Sequence, residues 1–435
     1  MKQATRLVLS SVLLAMLLVP SAQAAGTRVI VRVTGGLLQI NSICSLVGCR
    51  VDYGLGDPDD RVFLVTSLTS VSSTVFLSTL NVQLGVVNVE LDVTGEIQAA
   101  PAVPPALFDR TPVSYFGTTA WNGYVNQAAS QIVGVATAQN RFNVHGAGIV
   151  AVIDTGVDPS HPVLIPSLLA GYDFTRNRDW ADETTDIQQS TAPVVNGVEP
   201  GWVSQSTVAV VDQSTVAVVD TSQYSAFGHG TMVAGIVRLV APNAWILPLK
   251  AFGADGRGYR SDVIRAIYYA VRANARVLNM SFSFSTGSAE LSSAISHANR
   301  NDIICIGAAG NDGRQVAVYP AAYADRVIGV ASTTNSDTRS TFSNYGRPQV
   351  WIAAPGEGIV TTYPWKTYAA AWGTSFSAPF VSGAAALLLD VSASAGESEA
   401  ARALAHAKPI TIELGNGRLD LYQAIAAWRQ ALGLE

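Results

Sequence analysis

The sequence is poor in charge. Only 14% of its 435 residues are Asp, Glu, Lys or Arg, against a globular average of roughly 25%. That shortage excludes a charge-rich disordered chain. With 27 Lys and Arg against 32 Asp and Glu the net charge is −5, which argues against a nucleic-acid binder, since that would need a basic stripe. Cysteine is scarce. Cys44 and Cys49 can close a small loop, a pairing that sequence does not decide. Cys305 lies in the apolar run Ile303–Ile306 and reads as a small buried hydrophobe.

Long apolar runs are also missing, except at the start. Lys2 and Arg6 flank an apolar stretch from Leu7 to Val19, and Ala22-Gln23-Ala24 follows. A basic head, an apolar middle and an A-x-A exit predict a secretory signal peptide over residues 1–24, cut after Ala24. No later segment reads as a bilayer span. The expected protein is therefore secreted and free of the membrane after that cut.

Hydrophobic residues nevertheless make up 49% of the chain, and its length suggests two or three folding units. Residues 25–100 read as a small α/β unit, with strands at Arg28–Val33, Val62–Val65 and Val86–Val93 and a short helix at Ser72–Leu80. Pro101, Pro104 and Pro105 mark a linker over 101–110. From 111 to 435 strands alternate with helices. Gly148–Ile153, Ala244–Leu249, Val277–Met280, Ile303–Ala308 and Val327–Ala331 read as buried strands. A helix capped by Ser261 and another over Leu291–Ala298 fall between them. Near-continuous apolar strands predict a mostly parallel sheet with helices on both faces. An insertion at about 176–224 holds a repeat, QSTVAVVD, at Gln205–Asp212 and again at Gln213–Asp220. It reads as a duplication in a tolerant loop, with a β-hairpin as the ordered alternative.

Four segments carry polar residues suited to chemistry. AVIDTGVD (151–158) puts Asp154 at the carboxyl end of a strand, where open α/β sheets gather ligands. GHGTMVAG (228–235) puts His229 between glycines at a helix start, a base suited to neutral pH. GTSFSAP (373–379) puts Ser375 at the start of a long helix, with Pro379 near its first turn. GAAGND (307–312) offers the amide of Asn311. Singly each has an ordinary reading, as a strand-end acceptor, a helix cap, an N-cap or a turn residue. Together they supply acid, base, nucleophile and amide donor in one domain. Asp, His, Ser is also one of the known chain orders of the serine triad.

On these motifs the chain resembles the subtilisin-like serine proteases over roughly residues 110–430. The resemblance implies a subtilisin-like α/β fold preceded by a ferredoxin-like inhibitory propeptide. It makes Asp154, His229, Ser375 and Asn311 the acid, base, nucleophile and oxyanion donor of an endopeptidase made as a self-processing zymogen. Polypeptide substrate would lie as an added strand between Gly256-Arg257-Gly258 and Ser281-Phe282-Ser283, with Gly310 beside it. The implied partners are polypeptide substrates and the propeptide itself, with no nucleic acid. The chemistry would need no cofactor. Structural calcium is possible but not indicated: Asp179, Asp182, Glu183 and Asp186 read first as a solvated acidic loop. Phe282 and Phe284 stand where the family carries a glycine pair, and are expected to reshape the specificity pocket. Met232 replaces the second histidine of the family motif.

Overall fold

The computed structural model describes residues 26–95, 104–187, 208–210 and 224–434. The signal-peptide reading, the linker start and most of the repeat lie outside these residues. The N-terminal unit runs strand–helix–strand–strand–helix–strand. Its strands Arg28–Val33, Cys49–Gly54, Val62–Ser67 and Val86–Leu91 form an antiparallel sheet with Arg28–Val33 and Val62–Ser67 in the middle. This is the ferredoxin-like order expected. The helix Gly36–Val47 and the strand Cys49–Gly54 are not legible in the sequence reading. They meet at Gly48, whose φ of 76° lets the chain turn in the left-handed region. Cys44 and Cys49, on either side of that turn, are disulfide-bonded.

Alternation along Arg28–Val33 decides what the small sheet touches. Val29, Val31 and Val33 point to its own helices, with Phe63, Val65, Phe76 and Leu80. Ile30 points the other way, with Leu55, Val62 and Leu64, into a core shared with the larger unit. The far side of that core belongs to the helices Arg260–Arg272 and Ala289–Arg300. The small sheet therefore has no free face: one is covered by its own helices and one by the larger unit.

The larger unit is built on an eight-stranded sheet. Seven of its strands are parallel neighbours, in the spatial order Tyr172–Asp173, Trp245–Lys250, Ile149–Asp154, Val277–Met280, Ile304–Ala308, Ile328–Thr333 and Ile352–Pro355. The short pair Tyr172–Asp173 and Arg178–Asp179 adds the edge beyond Trp245–Lys250. Val150 and Val152 face the helices His229–Val240 and Thr374–Val391, whereas Ala151 and Ile153 face Arg260–Arg272 and Ala289–Arg300. Both faces are covered, which is why the strands read as continuous apolar runs.

Several expectations need correction. Ser261 does not cap its helix. The helix Arg260–Arg272 starts two residues earlier than such a cap implies, after Tyr259, and Ser261 lies in its first turn. Pro379 lies inside the helix Thr374–Val391, a turn further in than expected. That helix is itself long and apolar enough to span a membrane by length and composition, but 89% of it is buried as the core helix of the larger unit. The presumed linker is structured from Pro104, with a 3-10 turn at Pro105–Phe108 and Leu107 fully buried. Of the first repeat copy, Val208–Val210 pairs antiparallel with Ala369–Ala371.

Docking of the small unit depends on charge as well as on its apolar face. Arg32 bonds the Glu290 carboxylate, which is almost fully buried. Arg32→Ala strands that carboxylate, a loss of about 2–5 kcal/mol at an interface. Hydrogen exchange across Val86–Leu91 and Arg260–Arg272 is expected to quicken in this variant.

Candidate active site

Asp154 ends its strand with its carboxylate 2% exposed. Oδ1 accepts from Thr155 N at 2.7 Å and from His229 Nδ1 at 2.7 Å. The carboxylate can only accept, so Nδ1 carries the proton and Nε2 presents its lone pair. His229 is the first residue of the helix His229–Val240 and is buried. Its Nε2 has no partner among the described residues.

Ser375 is the second residue of the helix Thr374–Val391. Gly373, just before the helix, has φ 139°, which favours glycine there. The expected bond from Ser375 to His229 is not made in this conformation. Ser375 Oγ donates instead to the carbonyl of Ser281 at 3.0 Å. Rotation about the Cα–Cβ bond moves the hydroxyl between staggered positions. The imidazole is close to this helix start, since its ring centroid is 5.1 Å from that of Phe376.

The backbone beneath Ser375 is held by Ser281, read from the sequence only as a substrate residue, and by Asn279 and Ser382, which the sequence reading missed. Pro379 has no N–H for the carbonyl four residues earlier, that of Ser375. Ser281 Oγ fills the gap, donating to Ser375 O at 2.8 Å. Ser281 Oγ accepts in turn from Asn279 Nδ2 at 2.9 Å, and Asn279 Oδ1 accepts from Ser382 Oγ at 2.8 Å. Asn311 is fixed in a similar way. Its Oδ1 accepts from Thr374 N and from Thr374 Oγ1, both at 2.9 Å. The amide nitrogen must then face the other way, and it lies on the side of Gly373.

The expected substrate residues divide. Gly258 forms a short strand with Tyr259, whereas Gly256 and Arg257 lie in the turn before it. That strand is already paired: Gly258 faces Gly95 and Tyr259 faces Thr94, antiparallel, and Arg260 N donates to Val93 O at 3.2 Å. Ser281 and Ser283 alternate with Phe282 and Phe284. Both phenylalanines are buried in the core beside Phe252, with ring centroids 4.9 Å apart for Phe252–Phe282 and 5.8 Å for Phe282–Phe284. They do not line a pocket as expected, because strand alternation turns them inward. The backbone of Gly310 is engaged internally: its N–H donates to Thr374 Oγ1 and its carbonyl accepts from Asn344 N.

The acidic segment is a solvated loop only in part: Asp179 is exposed, whereas Asp182 and Asp186 are partly buried. Glu183 is fully buried. Its carboxyl is pushed up to about 8 by burial, against the opposing pull of the Thr231 and Thr155 hydroxyls and of Lys250. Asp182 caps the turn Glu183–Asp186, and Asp186 pairs with Lys250 and Arg176. No group of three or more His, Cys, Asp or Glu suited to a metal occurs among the described residues.

The imidazole held by Asp154 and the serine at a helix start belong to a parallel sheet covered on both faces, and by its relatives the protein is a serine peptidase. The chain belongs to the subtilase family, whose profile matches residues 146–422. Thermitase of Thermoactinomyces vulgaris is 33% identical over 262 residues, 58% of this chain and 78% of that protein. The major intracellular serine protease of Bacillus subtilis is 33% identical over 254 residues, 55% of this chain and 67% of that protein. Among solved structures, fervidolysin of Fervidobacterium pennivorans shares the fold, with a TM-score of 0.70 at 21% identity. The superposition covers 93% of this chain, which spans 62% of fervidolysin.

Ser281→Ala is expected to lower the unfolding free energy by about 1–3 kcal/mol, because it leaves the buried Ser375 carbonyl without a donor. Urea denaturation of variant and parent measures the difference.

Proposed function

We propose that the protein is a secreted serine endopeptidase made as a self-processing precursor. The observation that carries this reading is the Asp154–His229 bond of 2.7 Å, which leaves a buried, unpartnered Nε2 at the start of the Ser375 helix. Ser375 Oγ leaves the Ser281 carbonyl, gives its proton to His229 Nε2 and attacks a peptide carbonyl carbon. Asp154 stabilises the imidazolium that forms. Asn311 Nδ2 and the Ser375 N–H receive the negative oxygen. The imidazolium then protonates the leaving amine, and water, deprotonated by the same nitrogen, releases the acyl group. No step calls for a cofactor.

The N-terminal unit acts on this reading as an inhibitory propeptide. Its last described strand, Thr94–Gly95, takes the edge of Gly258–Tyr259 on which an extended substrate would pair. Two carboxylates fasten it there. Asp92 accepts from Ser261 N and Oγ, and Glu90 from Ala289 N and Ser288 Oγ, at the first turns of the two covering helices. The chain is paired in the groove at Gly95 and packs against Gly358 by Pro104. Self-cleavage is therefore expected between Gly95 and Pro104. Secretion rests on the signal-like residues 1–24.

Four measurements test this. A serine-directed fluorophosphonate is expected to label the mature protein at Ser375, as mapped by mass spectrometry; label elsewhere overturns the reading. Asn311→Ala is expected to lower kcat by about 10²–10³ with little change in KM, the loss known for the side-chain oxyanion donor of subtilisin. N-terminal sequencing of mature enzyme should begin within residues 96–104. Ser375→Ala should keep the N-terminal unit attached.

A further inference from the structure

We propose that Glu183 is a positioning residue for the Asp154–His229 pair, its buried carboxyl tying the strand end that bears the acid to the helix start that bears the base. The proposal deepens the peptidase reading and rests on it.

Glu183 Oε2 accepts from Thr155 Oγ1 at 2.9 Å and from Gly228 N at 3.0 Å. Oε1 accepts from Thr231 N at 3.1 Å and lies against Thr231 Oγ1. Thr155 follows Asp154 directly, and Gly228 and Thr231 flank His229. Of the other N–H groups at this helix start, that of Gly230 goes to Thr155 Oγ1 at 2.9 Å and that of His229 to the carbonyl of Ala226 at 3.1 Å. Three backbone donors around His229 thus end on Glu183, or on the threonine that Glu183 holds. The helix has no side-chain cap of its own, since Gly228 occupies that position. Its orphan N–H groups need acceptors from elsewhere, and the acceptor comes from a segment 48 residues before Thr231.

Close packing holds this segment in place. Val157 N donates to Ala181 O at 2.8 Å. A Cβ on Gly156 would come within 2.6 Å of Ala181 O and 3.0 Å of Glu183 N. A Cβ on Gly230 would come within 1.9 Å of Gly156 O. On the sheet side, buried Lys250 holds Thr155 O at 2.7 Å and Asp186 Oδ2 at 2.7 Å. The groups acting on Glu183 or acted on by it are then Asp154 at the strand end and Thr155 just after it, Thr231 from the helix, Lys250 from the neighbouring strand and Tyr363 from the strand Ile359–Tyr363, which lies against the helix start at Gly228.

A carboxyl is the group these contacts require. Each of its two oxygens receives one backbone N–H, and it can accept both in either protonation state. An amide cannot: whichever way it is turned, its NH2 faces the N–H of Gly228 or of Thr231. Glu183→Gln keeps the volume and breaks one backbone anchor of the helix start. A displacement of His229 from Asp154 and Ser375 by a fraction of an ångström follows. Misplacement by about 1 Å costs on the order of 10²-fold in rate.

The test uses the full chain as wild type, Glu183→Gln, Glu183→Asp and Thr155→Val, with Ser375→Ala as the zero. Measured are the fluorophosphonate labelling rate at Ser375, kcat and KM on a peptide substrate, the unfolding transition, and the low-field proton resonance of His229 Nδ1. Glu183→Gln is expected to label about 10²-fold more slowly with KM within about twofold, to keep a cooperative unfolding transition, and to shift or broaden the Nδ1 resonance. Glu183→Asp, which keeps the carboxyl but shortens its reach, should fall between Glu183→Gln and wild type. Thr155→Val, which removes one of the four contacts, should slow labelling by about 10-fold, and it serves as the test if Glu183→Gln does not fold. Labelling by the folded variants within twofold of wild type, a loss no larger than the unfolded fraction, or an unmoved Nδ1 resonance overturns the proposal. A wild type that takes no label at Ser375 ends instead the peptidase reading on which it stands.

Discussion

The start of a helix leaves N–H groups that nothing within the helix can satisfy. In this protein four such starts are satisfied by side chains far away in the sequence. Thr374 N is held by Asn311, Thr231 N by Glu183, Ser261 N by Asp92 and Ala289 N by Glu90. The first two fasten the helices that carry Ser375 and His229. The last two fasten the N-terminal unit to the larger one. One requirement of backbone chemistry therefore serves both to anchor helices within the larger unit and to join the two units.

The polar groups of the interior follow the same logic. Ser281 supplies the donor that Pro379 cannot, and Asn279 and Ser382 orient Ser281. Lys250 is fully buried, yet its ammonium reaches two carbonyls and one carboxylate. Such groups are tolerated in the core because their partners are there. At the interface between the units, burial raises the carboxyl of Glu90 and pushes that of Asp262 up to about 6. Arg265 and Arg28 offset part of that burial at Asp262.

Much of the fold was legible because buried parallel strands leave a plain signature. The segments at Val277–Met280 and Arg28–Val33 were read with the bounds the structure gives them. The helix Gly36–Val47 was not read, because its apolar residues are not confined to one face: Leu38 and Leu46 stay exposed while Ile40 and Ile43 are buried. Phe282 and Phe284 were assigned to a pocket because their place in the motif was read without their direction. The role of Glu90 and Asp92 was accessible in principle. With Asn88 they stand two apart on a strand, on one face, and all three contact the larger unit.

Sequence alone marked the residues read as acid, base, nucleophile and amide donor, because each sits in a short motif at an element's end. It also determined the layered architecture, through the period of its apolar residues. Only the tertiary structure decided how those residues are held. Glu183 offers no local signal, since its partners lie in other motifs and its burial arises from a chain crossing at Gly156. The direction of the Ser375 hydroxyl, and the strand laid along Gly258, were likewise set by contacts between distant segments. Periodicity reports the neighbours a residue has along one element, whereas these contacts exist only once the elements have packed.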